Sequence, residues 1–185
     1  MVGCGSASGD GGGSGFVSAP VHSERGGKLV PNARLTVRLP RGWHVTRHPL
    51  SGLTSPGEVM ALSSFPVRKI DSHTNCTPKT LIQELPSRGA AIWVLENFNG
   101  PRHRLNAKGR AFFPPRPRRF TLAPKQFRGY ECAGLSWAEN FRDRGRAFYV
   151  SVYAHPAHLA PPIRRQTLRV LDSLRVRPLR RSSPR

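Results

Sequence analysis

The chain has 185 residues, 37% of them hydrophobic, and a net charge of +20 from 30 Lys and Arg against 10 Asp and Glu. That is a one-domain length, and no stretch approaches the ~18 consecutive apolar residues of a membrane-crossing helix, so a helical span is excluded. Only Lys28, Lys69, Lys79, Lys108 and Lys125 are lysine; the basic field is an arginine field, which attracts polyanions and suits phosphate. A GC-rich genome imposes the same bias toward Arg, Gly, Ala and Pro, so the charge alone names no partner.

Residues 1–27 are low in complexity, with Gly and Ser dominating from Gly5 to Gly15. Such a segment buries too little apolar surface to order itself and reads as a disordered tether. As a flexible coil it reaches roughly 25–30 Å. A single domain is expected over residues 28–178, followed by a basic, disordered tail over 179–185. In the domain, Leu35, Val37 and Leu39 alternate with Thr36 and Arg38, the pattern of a half-buried strand. Pro40-Arg41-Gly42 is a turn, and Trp43 to Thr46 resumes the alternation. A third strand is expected over 59–65, after the Ser55-Pro56-Gly57 turn. Thr77-Pro78 has the form of a helix start, N-cap then N1 proline. Leu81, Ile82 and Leu85 give that short helix an apolar side, and Pro86 ends it. Residues 90–95 are apolar throughout and read as a buried strand.

Residues 97–119 are the least regular part and read as a long basic loop with one short strand around Phe112. Beyond it, 135–142 and 146–155 form two strands joined through Asp143-Arg144-Gly145, with Gly available for positive φ. On the second strand Phe148, Val150 and Val152 share one face, and Tyr149, Ser151 and Tyr153 the other. A last helix starts at Pro161-Pro162, with Ile163, Thr167, Val170, Leu171 and Leu174 as its apolar stripe. A short closing strand is expected within 174–178. Locally joined strands with few helices imply the α+β class: an antiparallel sheet flanked by a short helix and a C-terminal helix, both on one face.

Two stretches carry a family resemblance. The opening Leu35-Thr36-Val37-Arg38-Leu39-Pro40-Arg41-Gly42-Trp43 resembles the start of PsbP/Mog1-like domains: an apolar strand, then Pro, any residue, Gly and Trp. The closing Val170-Leu171-Asp172-Ser173-Leu174-Arg175-Val176 resembles their terminal helix and final strand. Secreted or lipid-anchored actinobacterial proteins share this pairing. The resemblance covers about residues 29–178 and implies an accessory or binding module without a catalytic site. It carries over no functional residue, and the Arg/Pro loop at 99–119 has no counterpart in the family pattern.

Met1-Val2-Gly3-Cys4 followed by a Gly/Ser run resembles the cleavage and lipidation box of a bacterial lipoprotein. Cys4 is the expected lipid-attachment residue. Only three residues precede it, where a basic segment and an apolar segment normally stand. The expectation is therefore conditional: extracytoplasmic and lipid-anchored in the cell envelope if the upstream reading frame supplies that signal, cytoplasmic otherwise. With Cys4 lipidated, Cys76 and Cys132 remain as an even pair and are expected to form a disulfide. The alternative is two buried free thiols.

The densest basic region holds Arg102, Arg104, Arg110, Arg116, Arg118 and Arg119, the candidate anion-binding residues. Phe112, Phe113 and Phe120 lie among them. They either stack on bases while the charges hold phosphates, or anchor a solvated loop in the core. Tyr149 and Tyr153, with Trp137 on the partner strand, read as a packing surface beneath the terminal helix. His73, Cys76, Cys132, His155 and His158 match no established zinc spacing, so no metal and no cofactor are expected. Glu131 and Glu139 are the nearest approach to a carboxylate pair and are expected to neutralise neighbouring arginines. No nucleophile elbow or phosphate-binding loop occurs. The expected function is a non-enzymatic envelope module that binds an anionic envelope polymer, lipid headgroups or a protein partner. A soluble cytoplasmic nucleic-acid-binding protein is the alternative.

Overall fold

The computed structural model describes residues 23–24, 27–31, 34–46, 56–67, 79–98, 112–130, 134–155 and 159–178. Ten strands and two helices lie within them. In chain order they are β1 (Ser23–Glu24), β2 (Gly27–Pro31), β3 (Leu35–Leu39), β4 (His44–Val45), β5 (Gly57–Ser63), α1 (Lys79–Gln83), β6 (Ala90–Asn97), β7 (Arg128–Tyr130), β8 (Gly134–Asp143), β9 (Arg146–Ala154), α2 (Pro161–Ser173) and β10 (Arg175–Val176). The chain is thus an α+β protein built on antiparallel sheets. Four strands pair in the order β1-β2-β3-β10, and six in the order β4-β5-β6-β9-β8-β7. Every pairing between these strands is antiparallel.

Period-2 alternation explains how the six-stranded sheet is covered. Ala90, Ile92 and Val94 of β6 and Phe148, Val150 and Val152 of β9 face one way. They meet Leu35, Val37 and Leu39 of β3, Val176 of β10, and Val170, Leu171 and Leu174 at the end of α2. All of these are essentially water-free, each of the Val, Leu, Ile and Phe side chains contributing about 1.5–3 kcal/mol by its burial. The opposite face carries Ala91, Trp93 and Leu95 of β6 with Tyr153 of β9, under Leu81, Ile82 and Leu85 of the α1 region. The two helices therefore lie on opposite faces of the large sheet, not on one face. β6 shows why: it is apolar at both parities because both of its faces are covered.

A second correction concerns Trp137. It pairs with Val152 and lies in the main core, 2% exposed, beside Phe141. Tyr153 and Tyr149 belong to the other face. The three do not form one surface, and α2 does not cover the two tyrosines. A third difference is at the N-terminal boundary. Ser23–Glu24 and Gly27, inside the segment read as tether, pair with each other and extend the four-stranded sheet beyond β3.

α2 is held by more than its apolar stripe. Trp43 Nε1 donates to Gln166 Oε1 at 3.2 Å, and Arg38 N donates to Ser173 Oγ at 2.9 Å. β10 then pairs back onto β3, Arg175 opposite Thr36 and Val176 opposite Leu35. At the other end of the core, Arg146 is buried against Glu96, Nε to Oε1 at 2.7 Å and Nη2 to Oε2 at 2.6 Å. Arg146 Nη1 donates to the carbonyls of Arg34 and Arg177, both at 3.1 Å. One guanidinium thus joins the large sheet to both strands of the β3–β10 pair at a single end, where Arg177 N donates to Arg34 O at 3.0 Å.

Candidate anion-binding site

The site begins with a turn. β8 and β9 are joined by two residues, Arg144 at φ 50° and Gly145 at φ 74°. Two positive φ angles define the type I′ hairpin, whose twist matches that of its strands. Gly145 meets the requirement without strain. Arg144 does not, since a left-handed conformation costs a side-chain-bearing residue about 1–2 kcal/mol.

The Pro/Arg segment comes alongside this turn. Arg142 N donates to Pro114 O at 2.7 Å, and Arg116 N donates to Arg142 O at 2.9 Å. These bonds make a parallel bridge between Pro115 and Arg142 at the outer edge of β8. The expected strand near Phe112 is reduced to this single bridge. It brings Pro115, Arg116, Pro117 and Arg118 against Arg142, Asp143, Arg144 and Gly145, and the eight residues line a recess of about 620 Å³.

Arg116 is the support of that recess. It is half-buried, and its Nη2 donates to the carbonyls of Leu171 and Asp172 at 3.3 Å each. The last carbonyls of a helix carry partial negative charge, which a guanidinium complements, and Leu171 O accepts from Leu174 N at 3.2 Å besides. Arg175 Nη1 donates to the same Asp172 carbonyl at 2.6 Å. The Asp172 carboxylate turns the other way and accepts from Phe120 N at 2.9 Å. Burial, and then Arg175, push the Arg116 guanidinium below the usual arginine range, while Asp143 and Asp172 act in the opposite sense. Among the described residues Arg116 Nε is buried without a partner.

Arg118, Arg142 and Arg144 behave differently. All three are exposed. Among the described residues none of their guanidinium groups makes a hydrogen bond or an ion pair. They are available to a ligand, and among the described residues Asp143 is the only acid in the lining. Arg119 is exposed and lies outside the lining. Arg102, Arg104 and Arg110 lie outside the described residues, as do Cys4, Cys76 and Cys132. The sequence reading missed Arg142 and Arg144. The run Arg142-Asp143-Arg144-Gly145-Arg146 was the available signal, with three arginines packed around one turn.

The aromatic residues of this region point elsewhere. Phe120 is 4% exposed and packs edge-on against Trp137 and Phe141, with centroids 6.2 and 5.9 Å away. Phe113 is buried against Phe112 and Tyr149, each at 5.0 Å. None of them lines the recess. Of the suggested zinc residues only His155 is described, and it is exposed. No group of metal-ligating side chains occurs among the described residues. Glu139 does not neutralise an arginine among the described residues. It stands between Trp137 and Phe141 on the core-facing row of β8, and burial raises its carboxyl above the usual carboxylate range.

Fold and site together define an α+β protein with an arginine-lined recess at a hairpin end. No family model, no curated protein and no solved structure matches the chain.

Proposed function

We propose that the chain is a non-enzymatic binding module with a PsbP/Mog1-like domain, held in the cell envelope through Cys4 and binding an anionic partner at the Arg118/Arg142/Arg144 recess. The observation that carries the reading is the gathering of three exposed guanidinium groups, without protein partners among the described residues, around one hollow. Like charges repel, and such an arrangement is stabilised when an anion fills it. The family reading is supported by the two stretches that suggested it. They are 135 positions apart at Arg38 and Ser173, yet they hydrogen-bond there, and their strands β3 and β10 pair directly.

The buried positions of Phe113 and Phe120 favour this reading over single-strand nucleic-acid binding. Base stacking needs accessible aromatic faces beside the charges. Cys76 and Cys132 complete the proposal as an oxidised pair, in keeping with an extracytoplasmic address.

The test has two arms. Fractionation of the natural gene product should place it with the membrane, and Cys4→Ser should release it. The full chain should bind polyglutamate and phosphatidylglycerol vesicles with an affinity that falls as salt rises. The double variant R118Q/R142Q should lose at least tenfold. Equal binding by wild type and double variant would overturn the assignment of the recess.

A further inference from the structure

We infer that the recess takes a chain of at least two linked phosphoryl groups, recognised by its oxyanions alone, with no contribution from a base or a sugar ring. This rests on the reading of the recess as the anion site and goes on to name the ligand's chemistry.

Size is the first argument. The recess is an open surface depression of about 620 Å³, far larger than one tetrahedral anion. One tetrahedral anion leaves most of it empty. A run of linked anions fills it and reaches guanidinium groups on both contributing segments.

Geometry is the second. The lining charges come from two separate pieces of chain, Arg116 and Arg118 from one, Arg142 and Arg144 from the other. A carboxylate presents two oxygens in one plane and satisfies one fork. A phosphoryl group presents its oxygens in three dimensions and accepts forks arriving from different directions. Arginine, and not lysine, suits that geometry, and no lysine lines the recess. Three available arginines, Arg118, Arg142 and Arg144, with Arg116 behind them and Asp143 as the one acid of the described lining, match a ligand bearing several negative charges.

The described lining also lacks any group that would hold an adenine. Its remaining residues are Pro115, Pro117 and Gly145. Among the described lining residues there is no aromatic ring for a base to stack on and no amide side chain to pair with an adenine edge, so an adenine finds no reader there. The prolines hold the backbone of one wall with fixed φ and no N–H. Arg144 adds a sign of purpose. It occupies a left-handed position where Asn or Gly is the usual choice, and local strain of this kind concentrates at ligand-contacting sites.

Calorimetry on the full chain decides the matter. Tripolyphosphate and a glycerol-phosphate trimer are the two linked probes, standing for free polyphosphate and for a phosphodiester polymer. Orthophosphate, ATP and polyglutamate are the comparisons. At least one linked probe should bind ten or more times tighter than orthophosphate, and the tighter of the two identifies the source. ATP should bind no tighter than tripolyphosphate. R118Q/R142Q should lower the affinity for the linked probe at least tenfold, while R164Q/R165Q, on the exposed side of α2, should change it less than twofold. Tenfold tighter binding of ATP than of tripolyphosphate overturns the inference, because it demands a base contribution. Linked probes that bind no tighter than orthophosphate also overturn it. If R118Q/R142Q still weakens polyglutamate in that case, the anion site stands and only its ligand class is wrong. If the double variant changes no affinity at all, both readings fall.

Discussion

Arg146 and Glu96 meet as a two-pronged ion pair in the interior, with side chains only 4% and 7% exposed. They sit on neighbouring strands and on the same face, because Glu96 lies opposite Phe148, two residues beyond Arg146. Arg34 Nη1 donates to the same carboxylate at 3.0 Å. Buried charges are tolerated when each is matched, and stranding one of them costs about 3–5 kcal/mol. Glu96→Gln or Arg146→Met alone should destabilise by that amount in urea unfolding. The double replacement Glu96→Leu with Arg146→Met should recover much of the loss. A Glu96→Gln change that leaves the midpoint in place would show that the pair is not buried in solution.

Glu139 gives stability a dependence on pH of known sign. Burial raises its folded-state pKa above the unfolded value. Below the ordinary carboxylate range it is neutral in both states and imposes no penalty. As pH climbs from that range through the raised folded value, the unfolded chain loses its proton first, so stability falls. Glu139→Gln should remove this decline and leave the acid side unchanged. Unfolding free energies across the pH series, wild type against variant, check it. Parallel profiles would show that Glu139 is solvated.

Asp172 fastens the Pro/Arg segment to the end of α2 through Phe120 N. Asp172→Ala leaves that part-buried N–H without its acceptor, a loss of about 1–3 kcal/mol. Asp172→Asn keeps an acceptor oxygen and should retain most of the stability. Thermal unfolding of the two variants tests the difference. Equal midpoints would mean that the segment is not anchored there.

Arg144 should show stability and binding moving in opposite directions. Arg144→Asn places a residue that tolerates the left-handed turn at φ 50° and should gain about 1 kcal/mol. The same change removes one guanidinium from the recess and should weaken anion binding several-fold. Unfolding and binding measured on one preparation provide both readouts. A variant that loses stability would contradict the type I′ assignment.

Much of the architecture was legible wherever local pattern and tertiary role agree. The alternation of Phe148, Val150 and Val152 with Tyr149, Ser151 and Tyr153 gave β9 both of its faces. Asp143-Arg144-Gly145 marked the hairpin, and Ile163, Thr167, Val170 and Leu171 gave α2 its inward stripe. What covers each sheet face was not legible. Residues 90–95 reveal a strand buried on both sides but not which helix lies on which. Trp137 was misplaced for the same reason, since its parity on β8 depends on a register that only pairing with β9 fixes.

The recess was half legible. Arg116 and Arg118 stood out in a Pro/Arg run, whereas Arg142 and Arg144 looked like the polar trim of a hairpin. Among the described residues the bridge from Pro115 to Arg142 joins the two groups, and a single non-local bridge leaves no trace in composition or period. The three arginines at the hairpin also diverge in ways no spacing announces: Arg142 and Arg144 face solvent while Arg146 turns inward to Glu96.

The pairing of β10 with β3 has a consequence for biosynthesis. Arg175 and Val176 pair with β3, some 140 residues earlier in the chain, and Arg146 Nη1 needs the carbonyl of Arg177 as well as that of Arg34. While residues 175–177 are still inside the ribosomal exit tunnel, the edge of β3 is bare and Arg146 lacks one of its acceptors. The domain therefore closes only when those residues are free to pair with β3, wherever the chain folds, and until then an open strand edge is exposed.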